Sequence, residues 1–344
     1  MHNYSPTSCS APASVAKLRS ALATACQIGI GISLAIPCAL ATNIPLGSAS
    51  NYVVLYEGTG GHNLQITNVT VGGSIGVGGT GKVQYNGPGT INGSVDFSAA
   101  NTGQFGDNNG SNVGPTSVNF SAAAVTSALN TVNSLSSSLG AVDGANIALA
   151  NGAQSISESA GTLQTVNGVT YRFFDVTGYS QSDGNTLTIA GDGSGNPIVL
   201  NFGGSSNAGT DTNINLGGVV QLAGGLTSDQ VLWNFNSGGK TVQLNNNGGV
   251  VNGGGTGAFQ GVVLAPNDTM SMVHANFTGR FFGGDSSDMQ VVSGDTIQAP
   301  TFGGGGGGGG AGGSGGSAPE PSSVSLLGLA MAGLVALRRR SVTA

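Results

Sequence analysis

The feature that most constrains this chain is the way its middle is cut into short β-type runs. Leu64 to Val71, Ser74 to Val77, Lys82 to Tyr85 and Thr90 to Phe97 come first. After a gap follow Thr186 to Ala190, Ile198 to Phe202, Ile214 to Leu222, Val231 to Phe235, Thr241 to Leu244, Phe259 to Leu264, Met270 to Phe277, Arg280 to Phe282 and Met289 to Val292. Each is rich in β-branched or aromatic residues and bounded by Gly, Asn or Asp, the punctuation of strands and tight turns. Glycine supplies 63 of the 344 residues, well above the roughly 7% of average proteins. A chain that turns this often uses glycine for positive φ. The starts Ile198, Ile214 and Val231 lie 16 to 17 residues apart, a spacing that suits one coil of a β-solenoid stacking its apolar interior on the next. A β-sandwich would use similar strands and stays open as the alternative.

One segment departs from that pattern. From Phe120 to Leu139 glycine is absent, and Val125, Leu129, Val132, Leu135 and Leu139 recur at steps of three and four, which predicts an amphipathic helix within a helical insertion over about 117–140. Ser117 or Asn119 is available as a cap and Gly140 as a stop. The stripe carries no charge, so the helix is expected to pack along the strands. Exposure as a partner-binding helix is the alternative.

Both ends of the chain read as transport labels. Lys17 and Arg19 precede an apolar run from Ala21 that closes on Ala39-Leu40-Ala41, the parts of a signal peptide over 1–41 with a small-x-small cleavage site at Ala39 and Ala41. A retained N-terminal helix is the other reading, weakened by Gly29, Gly31 and Pro37. At the far end, Pro319-Glu320-Pro321 is followed by the apolar run 322–337 and by Arg338-Arg339-Arg340. Sixteen helical residues rise about 24 Å, short of the roughly 30 Å of a bilayer core. The three arginines resist crossing and mark a cytoplasmic stop. A Gly/Ser linker over 303–318, with the unbroken run Gly303 to Gly310, separates this tail from a body over 42–302.

Removing both labels changes the chemistry. Cys9, Cys26 and Cys38 all lie upstream of Ala41, so disulfide and thiolate chemistry leave with the leader. Fourteen acidic residues then face four basic ones (Lys82, Arg172, Lys240 and Arg280), a net charge of −10. That balance argues against nucleic acid or anionic membrane surfaces as partners.

The tail, from Pro319-Glu320-Pro321 through the apolar core to Arg338, Arg339 and Arg340, closely resembles the PEP-CTERM sorting signal of Gram-negative bacteria. The resemblance implies removal by an exosortase-type membrane protease, transient inner-membrane anchoring, and delivery to the cell surface or an exopolysaccharide matrix. An uncut single-pass anchor is the plainer alternative. Asn51 to Leu55, the glycine-rich run Ile66 to Gly81, Gly261 to Asn267 and Asn276 to Gly284 resemble, in their order, the choice-of-anchor A domain. That resemblance implies a right-handed β-solenoid with a helix alongside, similar to ice-binding-like adhesive domains. It also implies an adhesive or matrix role with no catalytic residues to carry over.

Candidate chemistry is sparse. The body's His62 and His274 fall one short of the three protein ligands usual at a catalytic zinc, and the glycine pairs open no nucleotide loop. Asp285 and Asp288, with Asp295 nearby, form the closest carboxylate group. They are candidates for a glycosidase pair or for calcium, and otherwise read as turn aspartates. No cofactor is expected. Three functions are therefore carried forward: a surface or matrix adhesive protein, a β-helix enzyme acting on polysaccharide, and an ice-binding protein. The last wants Thr-x-Thr arrays, which Thr186-Leu187-Thr188 and Asn68-Val69-Thr70 approach.

Overall fold

The computed structural model describes residues 42–100, 105–108, 112–182, 184–203, 214–245, 250–251, 255–256, 258–284, 287–292 and 296–300. The leader with Ala39 and Ala41, the linker, and the tail with Pro319 to Pro321 and Arg338 to Arg340 lie outside them. Among the described residues no helix is long and apolar enough to cross a membrane.

Strands β1 (Tyr52–Tyr56), β2 (Asn63–Thr67), β3 (Thr70–Val71), β4 (Ser74–Val77), β5 (Lys82–Asn86), β6 (Thr90–Ile91), β7 (Val95–Phe97), β8 (Phe105–Asp107) and β9 (Val118–Asn119) lead into helix α1 (Ala123–Gly140). After it come β10 (Ala145–Leu149), β11 (Gln154–Ser157), β12 (Thr162–Val166), β13 (Val169–Tyr179), β14 (Thr186–Ala190), β15 (Ile198–Phe202), β16 (Ile214–Leu216) and β17 (Val219–Ala223). The chain continues with β18 (Val231–Phe235), β19 (Thr241–Asn245), β20 (Val250–Val251), β21 (Gly255–Thr256), β22 (Phe259–Pro266), β23 (Thr269–Val273), β24 (Asn276–Gly284), β25 (Met289–Val292) and β26 (Thr296–Gln298).

Apart from the antiparallel β12–β13 and β20–β21 hairpins, these strands form the parallel ladders of a β-solenoid, and the sandwich alternative falls. One face, covered by the helix, runs β10-β13-β15-β18-β22-β24-β1-β4-β7-β9. A polar face runs β16-β19-β23-β25-β2-β5-β8. The third begins β11-β14-β17 and passes to the first residues of β22 and β24, then to β26, β3 and β6. β22 and β24 serve two faces because they bend at Gly261 and Gly279, whose φ values of +130° and +154° exclude other residues without strain.

The coil is larger than the sequence spacing implied. Ile198 pairs with Val231, so this coil takes 33 residues, and Ile214 lies between them on the polar face. The 16-to-17-residue interval is about half a coil because each turn has three sides. Four expected runs divide at corners for the same reason. Leu64 to Val71 breaks at Asn68 (φ +56°), Met270 to Phe277 at His274 (φ +52°), Ile214 to Leu222 at Gly217-Gly218, and Thr90 to Phe97 between β6 and β7.

Coils do not stack in chain order. β1 pairs with β24, placing the first coil directly on the last, Leu55 opposite Phe282. The N-terminal coils grow away from this seam to β9. Helix α1 then carries the chain back along the flank, and β10 onward refills the distance to the seam. Its length fits the task. The Ala122 N–H donates to Phe97 O on β7 and Asn201 on β15 holds the Leu139 carbonyl. Six strand spacings separate β7 from β15, about 29 Å at 4.8 Å each, and 18 helical residues rise about 27 Å.

Strands of the helix-covered face are buried on both sides, which is why β1, β15 and β18 are buried along their whole length and almost wholly apolar, Asn201 and Asn234 being the polar exceptions. Ile198, Leu200, Trp233, Phe259 and Phe281 point inward into the solenoid core. Tyr52, Val199, Leu232, Val262 and Phe282 point outward to meet Val125, Ala128, Val132, Leu135 and Leu139 of α1. The expected caps Ser117 and Asn119 are not used; the N-cap is Ala122, which makes no side-chain cap bond. Backbone pairing to β7 replaces the cap. At the other end a buried amide relay holds the helix. Asn234 Nδ2 donates to Ser136 O (3.1 Å) and to Asn201 Oδ1 (2.9 Å), and Asn201 Nδ2 donates to Leu139 O (3.0 Å) and Val142 O (3.2 Å).

Candidate functional site

The polar face carries a regular outward array. Its strands alternate: Leu64, Ile66, Val83, Tyr85, Val242, Leu244, Met270 and Met272 turn inward and are buried, while the residues between them turn outward. Because the ladders are parallel and in register, the outward residues line up across coils. The central row is Asn215, Gln243, Ser271, Gln290, Gln65, Gln84 and Gly106. Beside it runs Asn245, Val273, Val292, Thr67 and Asn86. Neighbours in each row stand about 4.8 Å apart, so the central row extends about 29 Å. Gln290 Nε2 reaches Gln65 Oε1 at 3.5 Å, and Asn108 Nδ2 donates to Asn86 Oδ1 at 2.8 Å. Neither of these two rows carries a charged side chain; Lys82 stands beside them, opposite Asn63. Such a face offers amide and hydroxyl donors and acceptors at a fixed repeat, suited to a repetitive polar partner.

Of the candidate catalytic or calcium carboxylates, only Asp288 falls among the described residues. Asp285 and Asp295 lie outside the described residues. Asp288 stands at the start of the polar face, where its carboxylate accepts the Asn63 backbone N–H (2.8 Å) and Gln65 Nε2 (2.9 Å), with His62 Nδ1 at 3.5 Å. Its oxygens therefore pin β2 beside β25, and a cation would have to displace those donors. Among the described residues no group of three or more His, Cys, Asp or Glu is placed to hold a metal. His274 occupies a left-handed turn position between β23 and β24. Thr186 and Thr188 share the outward side of β14, on the third face, and Asn68 is a corner residue before Thr70 on β3, so the two Thr-x-Thr-type motifs do not combine into an array on the polar face.

A second polar cluster escaped the sequence reading. Glu158, fully buried, accepts the Asp192 N–H (2.9 Å) and the Ser194 hydroxyl. Asp192 pairs with Arg172 at 3.1 Å. The Ser194 hydroxyl, with Arg172 contributing, holds Asp192 below the usual carboxylate range. These groups satisfy one another and tie the loop before β15 to the turn after β11. The outward rows were equally hidden, because Gln65 and Gln290 become neighbours only through the seam.

A family model of an ice-binding-like adhesive domain matches residues 39–313, and a model of the PEP-CTERM protein-sorting motif matches residues 317–340. No curated protein matches the sequence. Among solved structures, an ice-binding protein from the Antarctic ascomycete Antarctomyces psychrotrophicus is 13% identical, with a TM-score of 0.44, over 75% of this chain and 98% of that one. A glycosylated ice-binding protein (LeIBP) from an Arctic yeast is 16% identical, with a TM-score of 0.46, over 76% and 96%. The DUF3494 domain of Shewanella frigidimarina ice-binding protein_1 is 15% identical, with a TM-score of 0.43, over 75% and 97%.

Proposed function

The chain belongs to the ice-binding-like adhesive domain family and ends in a PEP-CTERM sorting motif, and from this premise we infer that it is an exported adhesive protein that holds exopolysaccharide through its polar face. The sorting motif supports export and a surface or extracellular destination. In this reading the leader is cut after Ala41 in a Gram-negative cell, and the 322–337 segment rests in the inner membrane against Arg338 to Arg340. An exosortase-type protease then acts at Pro319-Glu320-Pro321, and the body over 42–302 works outside, tethered until then by the 303–318 linker.

The observation that carries the adhesive reading is the strand-spaced row of Asn, Gln and Ser side chains on the polar face. Polysaccharides present hydroxyls at a repeat of their own, and an uncharged row of amides meets them without ion-pair desolvation. The discriminating experiment is retention of the purified protein on matrix polysaccharide, comparing the parent with Gln65→Ala, Gln84→Ala and Gln243→Ala. Loss of retention with unchanged melting supports the reading, and equal retention of all four proteins overturns it. Shortened polymer after incubation would instead mark an enzyme.

Ice binding is the second reading, favoured by the same equal spacing, since an ordered row can also order water. Thermal hysteresis of the purified protein, lost in Gln65→Ala and Gln84→Ala, would move the function to ice. A zero reading would leave the polysaccharide.

A further inference from the structure

The two ends of the solenoid match each other. Register on the helix-covered face runs unbroken through ten positions, from Asn146 on β10 through Asp175, Asn201, Asn234, Leu264, Phe282, Leu55, Gly76 and Asp96 to Asn119 on β9. Asn146 and Asn119 are both exposed and both outward, and among the described residues their strands have no partner on the outer side. Neighbouring polar side chains bond along this row: Asn119 Nδ2 donates to the Asp96 carboxylate at 2.7 Å and Asn234 Nδ2 to Asn201 Oδ1 at 2.9 Å. The row therefore stops at each end on an amide able to continue it.

The apolar surface agrees. Among the described residues the exposed large hydrophobic side chains are Val113 (59%), Phe120 (44%) and Leu163 (51%). Val113 and Phe120 flank the β9 end, and Leu163 lies on β12 at the β10 end. Just inside, Val118 at one end and Ala145 and Ile147 at the other are core-facing residues left half-covered. Edge strands are usually blunted by charge or proline; β9 and β10 carry neither.

We propose that copies of this chain stack head to tail, the β9 end of one pairing in parallel with the β10 end of the next. The seam provides the internal precedent: β24 and β1 lie far apart in the sequence, yet their coils stack in register with no covalent continuation between them. Translation along the solenoid axis repeats that geometry between copies and keeps the paired edge strands β9 and β10 parallel. Such a contact joins two different surfaces, so it propagates as an open chain and does not close. The stacking is independent of what the polar face binds.

The test uses the full-length chain with Cys9, Cys26 and Cys38 changed to Ser, and no polysaccharide present. Asn119→Cys and Asn146→Cys are made in separate copies, then mixed and oxidised. Within one copy the two positions stand nine steps, about 43 Å, apart, beyond the reach of a disulfide, whereas paired across a stack their Cα atoms would lie within its 4.4–6.8 Å range. A cross-linked dimer in the mixture, absent from either variant alone, is the expected result. No cross-link in the mixture, or equal cross-linking of each variant with itself, overturns the proposal. Sedimentation velocity adds a second readout on exposed positions that leave the fold intact. The parent's average mass should rise with concentration, and Val113→Lys with Leu163→Lys should abolish that rise. Unchanged association in the double variant would also overturn it.

Discussion

Arg280 Nε donates to Asp229 Oδ1 at 3.2 Å, with both side chains almost wholly buried. The same guanidinium donates through Nη1 to the carbonyl oxygens of Ser50 and Tyr52, each at 2.7 Å. Arg280 lies on the last long strand and Ser50 just before the first, so one side chain fastens the first and last coils of the chain across the seam. Arg280→Met should destabilise the protein by about 3–5 kcal/mol, since it strands Asp229 as a buried charge and leaves two carbonyls unpaired. Urea unfolding checks this; a loss below about 1 kcal/mol, the ceiling for exposed pairs, would show that the seam does not depend on the clamp.

Gly279 separates strain from collision. At φ +154°, an added Cβ would lie 1.8 Å from Gly261 O, whereas Gly225, at φ +84°, has nothing within 4 Å. Gly225→Ala should cost about 1–2 kcal/mol, the ordinary left-handed penalty. Gly279→Ala should cost clearly more, because the neighbouring backbone must also move. Comparable melting temperatures for the two variants would contradict the bend assigned to β24.

The amide relay under the helix predicts a local effect. Asn234→Leu removes donors to Ser136 O and Asn201 Oδ1 while keeping side-chain volume, so about 1–3 kcal/mol should be lost through unsatisfied buried groups. Hydrogen exchange should accelerate in the last turns of α1 before it does in β15 or β18. Uniform acceleration would indicate that the helix end is not separately held.

Alkaline pH should unfold the protein through its tyrosines. Burial pushes the Tyr171 hydroxyl up to about 12 from an ordinary 10. Burial raises Tyr179 further, and burial together with Asp96 does the same to Tyr52. Each folded-state value lies above the unfolded one, so the stability these groups give is complete below pH 10 and is lost as pH climbs above it. Tyr171→Phe should flatten the decline between pH 10 and 12 in denaturant titrations. An unchanged slope would place the alkaline transition elsewhere.

Strand identity was largely legible from the sequence because short β-branched runs between glycines carry that signal locally. The helix stripe through Val125, Val132, Leu135 and Leu139 was equally plain, and these four are buried as expected. Corners were harder. Ile214 to Leu222 reads as one strand, yet Gly217 and Gly218 send its halves to different faces. The β12–β13 hairpin was missed although Asn167-Gly168, both at positive φ, is a strong hairpin signal. What no local pattern could supply is the seam. The Gln65–Gln290 and Leu55–Phe282 pairings join the two ends of the body, so neither the polar row nor the ten-position ladder exists for a reader who stacks coils in chain order.

Strand β26 is the last described strand, yet it sits in the middle of the third face, between β24 and β3, with Ile297 fully buried. Thr70 comes early in the chain and its neighbour Thr296 late, so this slot on the third face fills only when the last coil is in place. A body cut short before β26 would keep the slot open.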